Sequence, residues 1–134
     1  MDTNKIISKV VGIKSNHSLN LINLTSEVGD LAFVSLEISA TLEDEIIVGF
    51  KSSAVAICKT KKDDLSYSNQ IEVCIKSIEK GEILTQIIGD KNGIFISSLI
   101  TTSSANRLNL KVGQSVVFLI KSTDMFLVQN RSEI

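Results

Sequence analysis

Few side chains in this sequence are of the kinds that do covalent or metal chemistry. There is one histidine, His17, and there are two cysteines, Cys58 and Cys74. A nucleophilic triad needs a histidine beside its serine or cysteine. His17 lies in a polar stretch, Ser15-Asn16-His17-Ser18, that reads as a solvated turn. A zinc site needs three or four Cys, His or carboxylate ligands. Cys58 and Cys74 show no CxxC spacing and sit in apolar alternating segments, where a thiol acts as a small core hydrophobe. No nucleophile constellation or acid/base pair emerges, so catalysis is disfavoured. Hydroxyl is what the chain has in plenty, with 26 of its 134 residues Ser or Thr.

The elements that must position those hydroxyls read as strands. Thirty residues are Ile or Val, stiff at χ1 and at home on a pleated surface. Alternation recurs at Ile6-x-Ser8-x-Val10, Ile71-x-Val73-x-Ile75, Val117-x-Leu119 and Met125-x-Leu127. Turn signals separate these runs at Glu27-Val28-Gly29-Asp30, Lys80-Gly81-Glu82 and Gly89-Asp90-Lys91-Asn92-Gly93. One stretch looks helical, Ser104 to Leu108, a single turn after a serine cap. The reading is all-β, a sandwich or barrel of short strands. With 14 Lys+Arg against 15 Asp+Glu, the balance argues against a broad basic face or an acidic tail. No run of membrane-spanning length and no leader-like apolar stretch behind Met1 is present in the sequence, which reads as soluble and cytoplasmic.

The chain repeats itself. Asn4-x-Ile6 matches Asn69-x-Ile71 at an offset of 65, carrying Val10 onto Ile75 and Ile13 onto Ile78. Phe33-Val34-Ser35 matches Phe95-Ile96-Ser97 at an offset of 62, and Phe50-Lys51-Ser52 matches Ile120-Lys121-Ser122 at an offset of 70. These offsets require a turn shortened by three residues, then an eight-residue insertion around Ser103 to Leu110. The expectation is two units, residues 1–60 and 66–130, joined by the polar linker Thr60-Lys61-Lys62-Asp63-Asp64. Units of roughly sixty residues are marginal alone, so they should pack together and self-associate.

The second copy resembles the Mop (molbindin) or TOBE domain family. It runs Ser66-Tyr67-Ser68-Asn69-Gln70-Ile71, then Ile78-Glu79-Lys80-Gly81, Ile100-Thr101-Thr102-Ser103-Ser104, Leu108-Asn109-Leu110-Lys111-Val112-Gly113 and Ile120-Lys121-Ser122. The first copy keeps the opening strand and Phe50-Lys51-Ser52 but lacks the Leu-x-Leu-x-x-Gly segment. The tandem resembles di-Mop proteins and the ligand-sensing C-terminal half of molybdate-responsive regulators. The resemblance implies five-stranded OB-like barrels that bind molybdate or tungstate where units meet, in a homo-oligomer. A trimer is favoured for a free-standing tandem and a dimer for the regulator arrangement. It carries ligand roles onto Thr101, Ser104, Lys121 and Ser122, with Ser66 from the start motif. Ser68 and, in the first copy, Thr3 stand where the family has arginine. In the first copy Ser39, Lys51 and Ser52 occupy related places, implying a weaker or altered site.

Chemistry supports such a site. Molybdate is a tetrahedral dianion whose oxygens only accept hydrogen bonds, so it needs converging hydroxyl and backbone N–H donors and a cation. Thr101 and Ser104 stand at i and i+3 around the expected helical turn. A lysine about 4 Å away, such as Lys121, offers roughly 4 kcal/mol of attraction per unit charge at an effective dielectric near 20, much of it offset by desolvation. Each residue has a plainer role too. Thr101 and Ser104 can cap the turn, Lys121 can guard an edge strand, Lys51 and Ser52 can be surface residues, and Arg107 and Lys111 flank the turn in solvent. The alternative function is an OB-type nucleic-acid module. Such modules stack bases on aromatics, whereas aromatics are 4% here and Phe33, Phe95 and Phe118 stand in apolar strand context. No direct nucleic-acid contact and no membrane partner are expected.

Overall fold

The computed structural model describes residues 2–37 and 40–132. Its strands are β1 (Thr3–Asn16), β2 (Leu19–Ser26), β3 (Leu31–Ser35), β4 (Glu45–Lys51), β5 (Ala56–Cys58), β6 (Asn69–Lys80), β7 (Leu84–Lys91), β8 (Ile94–Thr101), β9 (Ser115–Ile120) and β10 (Phe126–Asn130). A single α-helix among the described residues, α1 (Thr102–Arg107), follows β8, and 3-10 turns at Ser52–Ala54 and Ser122–Asp124 follow β4 and β9. The helix is capped by Thr101 rather than by a serine. Along β1 the pleat buries Asn4, Ile6, Ser8 and Val10 and turns Lys5, Ile7 and Lys9 outward, the period-2 pattern of a strand with one face on a core.

The fold is all-β, two five-stranded antiparallel OB-like units. One sheet runs β10-β4-β1-β2-β3 and the other β5-β9-β6-β7-β8. The fifth strand of each sheet comes from the other half of the chain. β5, which follows β4, pairs with β9, whereas β10, which follows β9, pairs with β4. The buried side chains of both sheets form one continuous core, with Phe33, Phe50 and Phe118 its largest members.

Strand pairing fixes how the repeats correspond and corrects one of the sequence matches. Ile22 faces Phe33 in the first sheet and Ile87 faces Ser98 in the second, so Phe33 corresponds to Ser98, still at an offset of 65. The expected match of Phe33 to Phe95 is out of phase by three residues. An odd slip turns every side chain to the opposite face, so Phe33 is fully buried while Phe95 is 57% exposed. Compensating core volumes hid the true register. The first unit fills its interior with Leu24 and Phe33, where the second has Gly89 and Ser98 and supplies Phe118 from β9. The turn is therefore not shortened. The second copy gains five residues, not eight, between β8 and β9, because Phe50 lies opposite Asn4 as Ile120 lies opposite Asn69.

Two buried asparagines clamp the sheets together. Asn4 accepts from Ser97 N–H (2.8 Å) and donates to the Ser97 carbonyl (2.9 Å). Its counterpart Asn69 does the same to Ala32, at 2.7 and 3.0 Å. Each amide thus acts as a peptide-like partner for a strand of the opposite unit. The two β-turns on the other side also meet, with Asn92 Nδ2 donating to the Glu27 carbonyl (2.8 Å).

Candidate functional site

Thr101 and Ser104 are brought together by one helical turn. Thr101 keeps extended backbone angles and its Oγ1 accepts from Ser104 N–H (3.2 Å), the ordinary work of an N-cap. The Thr101 hydroxyl donates to Ser104 Oγ (3.0 Å). Arg107 Nη2 also donates to Ser104 Oγ (3.2 Å), so a cation stands beside this hydroxyl pair. Arg107 is exposed, as the sequence reading expects of a residue flanking the turn, but it is also held to Ser104. Its i+3 spacing from Ser104 on a helix is the signal that finds it.

The helix is anchored to the β6–β7 hairpin. Thr102 N–H donates to the Ile83 carbonyl (2.8 Å), Thr102 Oγ1 donates to the Gly81 carbonyl (2.8 Å), and Thr102 and Thr85 share a buried hydroxyl contact (2.8 Å). Lys80 Nζ donates to Asn106 Oδ1 (2.6 Å). Thr85 and Thr102 escape sequence reasoning because a buried threonine looks like any other β-branched residue.

Lys51 and Ser52 end β4 in the first unit. Lys51 is exposed and Thr3 lies opposite it in the sheet, whereas Ser52 is buried and its N–H donates to the Asp2 carbonyl (2.8 Å). The 3-10 turn that begins at Ser52 packs on β8, the strand that ends in Thr101, and Ser98 Oγ donates to the Val55 carbonyl at this seam (2.7 Å). Lys121 and Ser122 are the counterparts at the other seam. Their 3-10 turn packs on β3, and Asn69 lies opposite Ile120 at the start of β6.

Within one chain, then, Lys51-Ser52 lie on the seam that carries Thr101, while Lys121-Ser122 lie on the seam of β3. The strand exchange causes this split, because the turn after each Lys-Ser pair crosses to the opposite sheet. The first-unit position that corresponds to Thr101 is Leu36, 70% exposed and without a hydroxyl. Ser39 lies outside the described residues. Ser66 is exposed in a bend of the linker, and Ser68 is exposed in a polar cleft of about 380 Å³ with Lys61, Gln70, Lys91 and the Gly29-Asp30 turn. Gln70 holds the linker in place, accepting from Lys62 N–H (2.9 Å) and donating to the carbonyls of Lys62 (2.6 Å) and Tyr67 (2.9 Å). Among the described residues no cluster of three or more His, Cys, Asp or Glu side chains is placed to hold a metal ion. None of their helices is long and apolar enough to cross a membrane.

Paired OB-like units with exchanged edge strands and hydroxyl-bearing seams define the class of protein. Residues 65–127, just under half of the chain, match the TOBE domain family. Among solved structures, the chain is similar to the cytoplasmic molybdate-binding protein ModG, in a crystal form with molybdate bound. That likeness has a TM-score of 0.86 and 23% identity, covering 92% of this chain and 94% of ModG. At that identity it establishes a common fold over nearly the whole of both chains. Comparison with curated proteins gives no match.

Proposed function

We propose that this protein binds molybdate and tungstate oxyanions at the seams between its OB-like units, without catalysis, for molybdenum storage, homeostasis or sensing in the cytoplasm. The observation that carries this reading is the fold-wide likeness to a protein with molybdate bound. The TOBE match supports it by spanning Ser66, Ser68, Thr101, Ser104, Lys121 and Ser122. Residues 1–60 and 66–130 act as two repeats that exchange their last strands. Thr101 and Ser104 supply hydroxyls to the anion, and Lys51-Ser52 and Lys121-Ser122 supply a charge and a donor at each seam. Ser39, Ser66 and Ser68 complete the donor set when copies of the chain assemble as a homo-oligomer, a trimer or a dimer.

With a net charge of −1, selectivity must come from preorganised donors and cavity size rather than from bulk field. Titration calorimetry with molybdate, tungstate, sulfate and phosphate tests the proposal. Tight binding of the first two and little of the others is expected. Sulfate bound as strongly as molybdate would remove the specific reading.

A further inference from the structure

We propose that two hairpin tips left bare by the fold are the contact surfaces for a second copy of this chain, the β1–β2 tip of one copy seating on the β6–β7 tip of the next. This assigns a surface to the self-association proposed above and does not depend on what the seams bind.

The internal repeat makes each tip a control for the other. The first hairpin turns through His17-Ser18 and the second through Gly81-Glu82-Ile83, and the offset of 65 places Leu19 on Leu84. These leucines are 49% and 48% exposed. Leu21 and Val34 extend the apolar surface beside Leu19, and Leu99 extends it beside Leu84. Ile83 at the second turn is 76% exposed. A large apolar side chain left in water at the same place in two otherwise diverged repeats marks a surface that both use.

The charges of the tips are opposite. Lys14 and His17 on the first correspond to Glu79 and Glu82 on the second, and Asp2 adds a carboxylate beside the second. Lys80 lines the same cleft with its ammonium donating to Asn106 Oδ1 on α1, so the second tip carries three carboxylates, Asp2, Glu79 and Glu82, against one lysine. When equivalent positions of two tips meet, two first tips oppose lysine to lysine and two second tips oppose glutamate to glutamate. The unlike pairing alone sets Lys14 toward Glu79. Charge thereby rejects like pairing and selects the complementary one. Since every chain carries one tip of each kind, the contact is heterologous, and copies close into a ring when the rotation permits.

Sedimentation velocity on the full chain without added oxyanion tests this, with circular dichroism to verify that each variant is folded. The wild type should sediment as an oligomer. K14E and E79K should each raise the dissociation constant about tenfold or more, and the double variant K14E/E79K should restore association. A wild-type oligomer that neither single reversal weakens, or a double variant as weak as the singles, overturns the tip contact and leaves the surface to another partner. A monomeric wild type overturns self-association altogether. The molybdate titration is read separately: a monomer that still binds molybdate keeps the oxyanion reading and loses only the donors assigned to assembly.

Discussion

At the scale of single residues, the same side-chain types do opposite work depending on where the strand exchange puts them. Lys51 and Lys121 occupy equivalent places, yet each serves the seam of the other unit. Lys121→Ala is expected to weaken molybdate binding by about 2 kcal/mol, the order of a charge-assisted hydrogen bond. Calorimetry that finds the affinity unchanged leaves Lys121 as an edge-strand charge. Gly89 gives a second test, in the core. A Cβ built there would stand 2.5 Å from Val73 Cγ2 and 3.0 Å from Phe118 Cε2. Overpacking of this kind costs about 1–3 kcal/mol, so Gly89→Ala should lower the unfolding free energy by that amount, read from a lower urea midpoint at unchanged slope. Leu24 fills the equivalent place in the first unit, where Ser8 and Val48 stand in the places of Val73 and Phe118.

The strands and turns are held to one another by groups whose loss has a definite sign. Asn69 is fully buried and its amide also donates to the Ile120 carbonyl (3.0 Å). Asn69→Ala would leave the Ala32 N–H and carbonyl without partners at the seam, a loss of about 2–4 kcal/mol by denaturant unfolding. The turn before β4 depends on Asp44, whose carboxylate accepts from Thr41 N–H (2.9 Å) and Asn130 Nδ2 (3.0 Å). The Thr41 backbone bond foremost, then the Asn130 amide, holds its pKa below the usual aspartate value. Its stabilisation is therefore full above the unfolded-state pKa and is lost as pH falls through the lower folded value. Asp44→Ala should flatten the acid limb of the stability profile and leave its neutral-to-basic shape unchanged. An acid limb as steep as that of the wild type would exclude this role. Glu43, just before it, has φ +75° where the second unit has Gly113 at +89°, so the turn keeps its shape although the glycine of the motif is gone.

Over the whole molecule, exchange of β5 and β10 makes each sheet incomplete without the other half of the chain. The core is continuous across both. Urea unfolding should accordingly be a single transition, coincident by tyrosine fluorescence and circular dichroism. Tyr67 is the chain's one tyrosine and lies just after the linker, its carbonyl held by Gln70, which also holds Lys62 of the linker, so it reports on the join between the units. Two separated transitions would show that the halves fold independently.

Local pattern in the sequence was enough for the all-β class, the strand phases of β1 and β6, the repeat at an offset of 65 and the Lys-Ser pairs at 70. These follow from side-chain alternation, which each strand carries by itself. It also led to the TOBE segment, because ordered motifs survive in the second unit. The register of β3 against β8 was beyond it. Phe33 and Phe95 match in type, but the pleat is set by hydrogen-bonded neighbours, and the core exchanged a phenylalanine on β3 for one on β9. The strand exchange was also decided only in three dimensions. Backbone N–H and C=O groups are the same in every residue, so which edge a strand completes depends on the packing of the finished core.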